Sequence, residues 1–225
     1  MCDTPYREAL AAFRRDCDET ERIVELLRGQ FRDELVPPLL DVGAGSGEVA
    51  FRAFPDSKAF LLDREAYELP VSPNHERRVG DFAKADFAKM KPKTLIFSHS
   101  AYYFANDASM FGKTLARSGA ERALVVSNEK EGLLKDAADF VQSLGVSFSN
   151  PFHTPLPGAA LQRKLPFTAE LDCEDFHVMA KHIVRTMLDL ENCPLVGKVE
   201  DWLQSKMKDS KADIAEAIYC YRLQH

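Results

Sequence analysis

Leu39-Leu40-Asp41-Val42-Gly43-Ala44-Gly45-Ser46-Gly47-Glu48 decides the fold of this chain. Its first four residues form a short, mostly apolar run of the kind that makes a buried strand. Three glycines then alternate with small residues, and a helical pattern opens at Glu48. Glycines placed this way let the backbone turn sharply and let a ligand approach the main chain closely. The helix beginning beyond them presents unpaired N–H groups. Asp63 closes the next apolar run, Ala59-Phe60-Leu61-Leu62, and stands 22 residues after Asp41. A carboxylate at that place can accept hydrogen bonds from both hydroxyls of a ribose.

The pattern continues on both sides. Arg77–Gly80 reads as a short third strand ending at Asp81, and Thr94-Leu95-Ile96-Phe97 and Ala123-Leu124-Val125-Val126 as the fourth and fifth. Residues 107–118 and 131–144 read as helices closed by Gly119 and Gly145. Strands alternating with helices imply crossover connections, hence an α/β fold with a mostly parallel sheet and helices on both faces. Residues 6–31 carry Leu10, Phe13, Ile23, Val24, Leu27 and Phe31 at near-helical spacing, with a break expected near Asp16 or Asp18 and an end at Pro37-Pro38. Residues 146–170 are proline-rich and loop-like, with at most one strand. Residues 174–190 form a helix with Phe176, Met179, Ile183, Met187 and Leu190 on one face. A second helix runs from 199 to 208, and 217–223 is a closing strand. We expect one domain: a helical cap over 1–35, a ligand-binding core over 36–145 and a lid with closing strands over 146–225.

Composition narrows the function. The chain has 225 residues, 45% hydrophobic and 28% charged, with a net charge of −6. The acidic balance argues against a general grip on nucleic acid or an anionic membrane. The lysines at 84, 89, 91 and 93 lack interleaved aromatics other than Phe87 and read as a solvated edge. No apolar run approaches a membrane span, and acids stand near the start where a secretory signal needs basic and apolar residues. A cytoplasmic protein is expected. Five scattered cysteines without a CxxC pair fit reduced thiols. Cys173 and His177, four apart, are too few ligands for a metal site, and none is expected.

A dinucleotide site wants GxGxxG, whose third glycine would fall on Glu48, beside a pyrophosphate it would repel. The pattern here is DxGxGxG. It resembles motif I of the class I S-adenosylmethionine-dependent methyltransferases, and the order of elements over about 35–145 follows theirs. The resemblance implies a Rossmann-like, seven-stranded sheet with S-adenosylmethionine held by Asp41, Gly43, Ala44, Gly45 and Gly47. It further implies Asp63 on the ribose, Asp81 on the adenine amine and Phe82 as an adenine neighbour. Arg64 and Ser98 complete the expected cofactor set.

Ala12-Phe13-Arg14-Arg15 and Glu19-Thr20-Glu21, with Tyr102-Tyr103 and Val125-Val126-Ser127, are similar to histamine N-methyltransferase and its relatives over residues 6–145. That likeness implies Glu21 as the carboxylate receiving a substrate amine, His99 as a substrate-contacting group and Tyr102 and Tyr103 as walls of the methyl-transfer site. Asn128 follows Ser127 and is expected to hold the amino-acid end of the cofactor or an amine. The function expected is methyl transfer to a nitrogen of a small amine or amino-acid-like metabolite, a small-molecule partner. Its rivals are an intramolecular cyclase releasing methylthioadenosine and forming azetidine-2-carboxylate, a non-catalytic cofactor-binding protein and, last, a nicotinamide oxidoreductase.

Overall fold

The structure is a computed structural model that describes residues 6–67, 72–146, 152–173, 175–188 and 193–224. The chain folds into two compact units, neither of them continuous in sequence. The first takes residues up to Thr20, Asn128–Phe152 and Phe167–Glu216; the second takes Glu21–Ser127, His153–Pro166 and the residues from Ala217 on.

The chain forms a seven-stranded mixed sheet in the order β3-β2-β1-β4-β5-β7-β6, with β1 to β4 wholly in the second unit. The strands are β1 (Leu39–Val42), β2 (Ala59–Asp63), β3 (His75–Val79), β4 (Thr94–Ser98), β5 (Arg122–Asn128), β6 (Ala159–Asp172) and β7 (Lys211–Leu223). The first five pair in parallel, with Leu40 opposite Phe60 on one side and Leu95 on the other. Every residue of β1 is buried, as are Ala59–Leu62 and Thr94–Phe97. A parallel sheet covered on both faces needs such continuously apolar strands. β3 is the exception: Glu76, Arg77, Arg78 and Val79 are all exposed, the charged edge that discourages pairing with another chain.

The helices of this unit include most of α2 (Glu19–Gly29), α3 (Glu48–Ala53), α4 (Phe87–Met90) and α5 (Ala108–Ser118). The core holds Leu40, Val42, Phe60, Phe82, Phe97, Phe111, Leu115 and Val125. Five phenylalanines, at 82, 87, 97, 104 and 111, meet with ring centroids 5.2–6.4 Å apart, mostly edge to face. Arg163 of β6 lies over the Phe31 ring at 4.7 Å and donates to the Gln30 carbonyl at 2.8 Å.

The helices of the first unit are α1 (Tyr6–Asp16), α6 (Gly132–Ser143), α7 (Phe176–Leu188) and α8 (Cys193–Lys206). Its core gathers Phe13, Leu134, Val141, Met179, Ile183, Met187, Val199 and Leu203. Phe13 stacks on the buried His182 ring, with centroids 4.4 Å apart, and Trp202 stacks on Phe140. The apolar face expected on the 174–190 segment is therefore a core face, although Leu190 falls outside the described residues. α8 starts earlier than the expected 199, because Pro194 sits in its first turn, where a missing N–H costs nothing. The one strand read into the loop-like 146–170 stretch is β6, which runs 14 residues to Asp172. Pro166 interrupts its sequence pattern but is tolerated because β6 is the last strand in the sheet order. No helix among the described residues is long and apolar enough to cross a membrane.

Candidate active site

The glycine loop takes the shape its composition demands. Gly43, Gly45 and Gly47 have φ of +74°, +54° and +72°, the left-handed region that side chains disfavour. The Gly43 and Ala44 N–H groups donate to the Leu62 carbonyl at 2.8 and 3.2 Å, so the loop is hung from the end of β2. A Cβ on Gly43 would stand 2.6 Å from that of Ser100, and one on Gly47 would meet Leu61 and Phe51 at 2.8 and 3.0 Å. A Cβ on Gly45 would meet nothing within 4 Å. Two of the glycines are thus closed in by protein, while the middle one faces open space, where a ligand can rest against bare backbone.

Asp63 is tied directly to this loop. Its Oδ2 accepts the Gly45 N–H at 2.9 Å and its Oδ1 accepts the Glu65 N–H at 2.9 Å. A carboxylate oxygen has two lone pairs. Asp63 therefore retains two acceptor directions, the number a ribose diol requires. Asp81 lies at the end of β3, close by, because the Gly80 N–H donates to the Asp63 carbonyl at 2.8 Å. Its Oδ1 accepts the Ala83 N–H at 2.8 Å and its Oδ2 the Arg64 guanidinium at 3.1 Å. Asp41 is buried at 2% exposure. Phe82 is 2% exposed, with its ring packed among Phe87, Phe97, Phe104 and Phe111. The helical turn Phe82–Lys84, capped by Asp81, turns that ring into the core.

At the end of β4, Ser98 and His99 are half-buried and His99 adopts φ +52°, rare for a side chain with a Cβ. Its N–H donates to the Val126 carbonyl at 3.1 Å. Ser100 donates its Oγ–H to the Val42 carbonyl, locking the β4 loop to the β1 loop. Tyr102 and Tyr103 follow in a tight helical turn with ring centroids 4.6 Å apart; Tyr103 is 52% exposed. The left-handed turn at His99 had no sequence signal.

Glu21 is engaged in the structure. The Arg52 Nη1 donates to Glu21 Oε1 at 2.9 Å and to Glu48 Oε1 at 3.0 Å. These contacts raise the Arg52 pKa above its ordinary value, Glu21 contributing most. The ion triad fastens α2 to α3, the helix that opens from the glycine loop. The partner of Glu21 lies 31 residues away and could not be seen in the sequence.

Asn128 belongs to the first unit, buried at 4% exposure and bridged to Phe152. The neighbouring Glu129 N–H donates to the Ala215 carbonyl. Two buried acids there escaped sequence reasoning: Glu19 and Glu216 are 9% and 0% exposed, and carboxylate oxygens of the two lie within 4.8 Å. The signal was present, since Glu216 interrupts the apolar run Ile214–Ile218. Burial, reinforced by Glu19, pushes the nearby Cys17 thiol far above its usual range. Cys173 precedes α7 and is buried, and His177 Nδ1 lies 2.7 Å from Glu200 Oε2.

No family model and no curated protein matches the chain. Solved structures do. The candidate methyltransferase BH2331 from Bacillus halodurans C-125 is 14% identical at a TM-score of 0.54, over 92% of this chain and 100% of its own. The YcgJ protein of Bacillus subtilis is 13% identical at 0.57, over 89% and 99%. A geranyl diphosphate methyltransferase solved with S-adenosylmethionine is 14% identical at 0.50, over 99% and 94%. At this identity the likeness establishes a methyltransferase-type Rossmann-like fold. Nothing in it singles out the histamine N-methyltransferase group.

Proposed function

We propose that this chain is an S-adenosylmethionine-dependent methyltransferase that acts on a nitrogen of a small amine or amino-acid-like metabolite. One observation carries the cofactor assignment: the Asp63 carboxylate is hydrogen-bonded to the Gly45 N–H, at a loop whose middle glycine faces open space. The residues fit the group. A phosphate-bearing dinucleotide would bring its negative charge against Glu48, whereas a sulfonium nucleoside carries no phosphate. When bound, S-adenosylmethionine supplies an electrophilic methyl on a sulfonium.

The protein's part is positioning and proton management. Asp63 holds the ribose and Asp81 the adenine amine. Tyr102 and Tyr103 shape the methyl-transfer site; aromatic faces attract a cation by about 0.5–2 kcal/mol, less as that charge disperses, so they orient more than they accelerate. A nitrogen nucleophile must be neutral to attack. His99, at the end of β4, is the group we assign to accept its proton, and its left-handed backbone fits the strain that functional sites retain. Glu21 attracts the incoming ammonium through a charge-assisted hydrogen bond, and must exchange Arg52 for it.

The test is mass spectrometry of the products formed from S-adenosylmethionine with and without a mixture of small amines. Amine-dependent S-adenosylhomocysteine and an acceptor heavier by one methyl are expected. Methylthioadenosine formed without any amine replaces the reading with the cyclase. Tight binding without turnover leaves a cofactor-binding protein.

A further inference from the structure

Arg64 follows the ribose aspartate directly, and its guanidinium reaches across the ends of two strands to the aspartate of the third. Its Nη2 lies 3.1 Å from Asp81 Oδ2, while the other oxygen of Asp81 is held by the Ala83 N–H. The strand ends beneath are joined by the Gly80–Asp63 backbone bond. An acceptor held by the Ala83 N–H thus stands beside a guanidinium that carries further N–H donors, five in all. A 6-aminopurine presents an amine donor next to a ring-nitrogen acceptor, and this pair is its complement. A 6-oxopurine presents the reverse order, placing its carbonyl against a carboxylate and its ring N–H against a cation.

Resting on the cofactor reading above, we propose that Arg64 is a specificity-determining residue. Together with Asp81 it reads the amine edge of the base and rejects the deaminated nucleoside. The pair is partly exposed, with side-chain exposures of 69% and 32%, so its value lies in discrimination rather than in stability.

The experiment is calorimetric titration of S-adenosylhomocysteine and of its deaminated analogue, S-inosylhomocysteine, into the native protein and into Arg64→Ala and Arg64→Lys. The native protein is expected to favour the adenosyl compound by about 100-fold, the scale of leaving a donor and an acceptor mismatched at a partly exposed pair. Arg64→Ala should lower that ratio about tenfold with an unchanged melting temperature. Arg64→Lys, a point charge without the fork, should fall between. An unchanged ratio in Arg64→Ala overturns the proposal while leaving the cofactor reading intact. A native protein that binds neither compound overturns both.

Discussion

Replacing Gly43 by alanine probes the loop where its geometry is tightest. At φ +74° a non-glycine residue carries about 1–2 kcal/mol of backbone strain. The new methyl would also lie 2.6 Å from the Ser100 Cβ and 3.2 Å from its Oγ, far inside ordinary contact. Relief requires a shift of the β4 loop, an overpacking cost of about 1–3 kcal/mol. Gly45→Ala is the matched control, because φ is again positive but no atom stands within 4 Å. The difference between the two variants isolates the clash, and each kcal/mol of it lowers Tm by about 2–4 °C in a chain of this size. Combining Gly43→Ala with Ser100→Gly closes a double-mutant cycle. Ser100→Gly alone loses the hydroxyl bond to the Val42 carbonyl, about 1 kcal/mol. In the Gly43→Ala background it should also remove the clash, giving a coupling of about 1–3 kcal/mol. Thermal unfolding followed by calorimetry measures all four proteins. Gly43→Ala no less stable than Gly45→Ala, with a coupling near zero, would refute the account of how the β1 and β4 loops are locked together.

Three further outcomes follow from the site. Asp63→Ala strands the Gly45 and Glu65 N–H groups and removes the ribose acceptors; S-adenosylhomocysteine affinity by titration calorimetry should fall at least about 30-fold, and unchanged affinity would end the cofactor assignment. Glu21→Gln should cost less than about 1 kcal/mol in stability, because its bridge to Arg52 is exposed, and should reduce turnover of an amine while sparing cofactor binding; full activity would remove Glu21 from the reaction. Tyr221, hydrogen-bonded to His153 at 2.6 Å, has its phenol pushed up to about 12 by burial. The folded state thus holds this proton where the unfolded chain, with a phenol near ~10, releases it. Its contribution is complete below pH ~10 and is lost as pH rises toward about 12. Tyr221→Phe should flatten that alkaline decline in a urea-unfolding series.

Much of the second unit was legible because its signals are local. The strand–glycine–helix stretch carries its own turn chemistry, and Asp63 and Asp81 stand where apolar runs stop. What failed to show depends on contacts between distant residues or on direction. Phe82 adjoins Asp81 in sequence, yet one helical turn sends its ring into a cluster of phenylalanines. The Glu21–Arg52 pair and the closeness of Glu19 to Glu216 join residues that no periodicity connects. β6 hid behind Pro166 and an exposed edge, where alternation between faces is weak. The lengthening of β7 back to Lys211 was missed because its first residues alternate polar and apolar instead of forming a solid apolar run.

The interleaving of the two units sets an order on folding. The polypeptide crosses between them five times, and α1 packs with α7, Phe13 against His182. α1 therefore waits for partners more than 150 residues downstream, so the helical unit cannot close while translation of its last segment is still under way. A cut at any single peptide bond between residues 21 and 215 separates pieces of that unit, so neither fragment of such a cut holds all of its helices and strand ends.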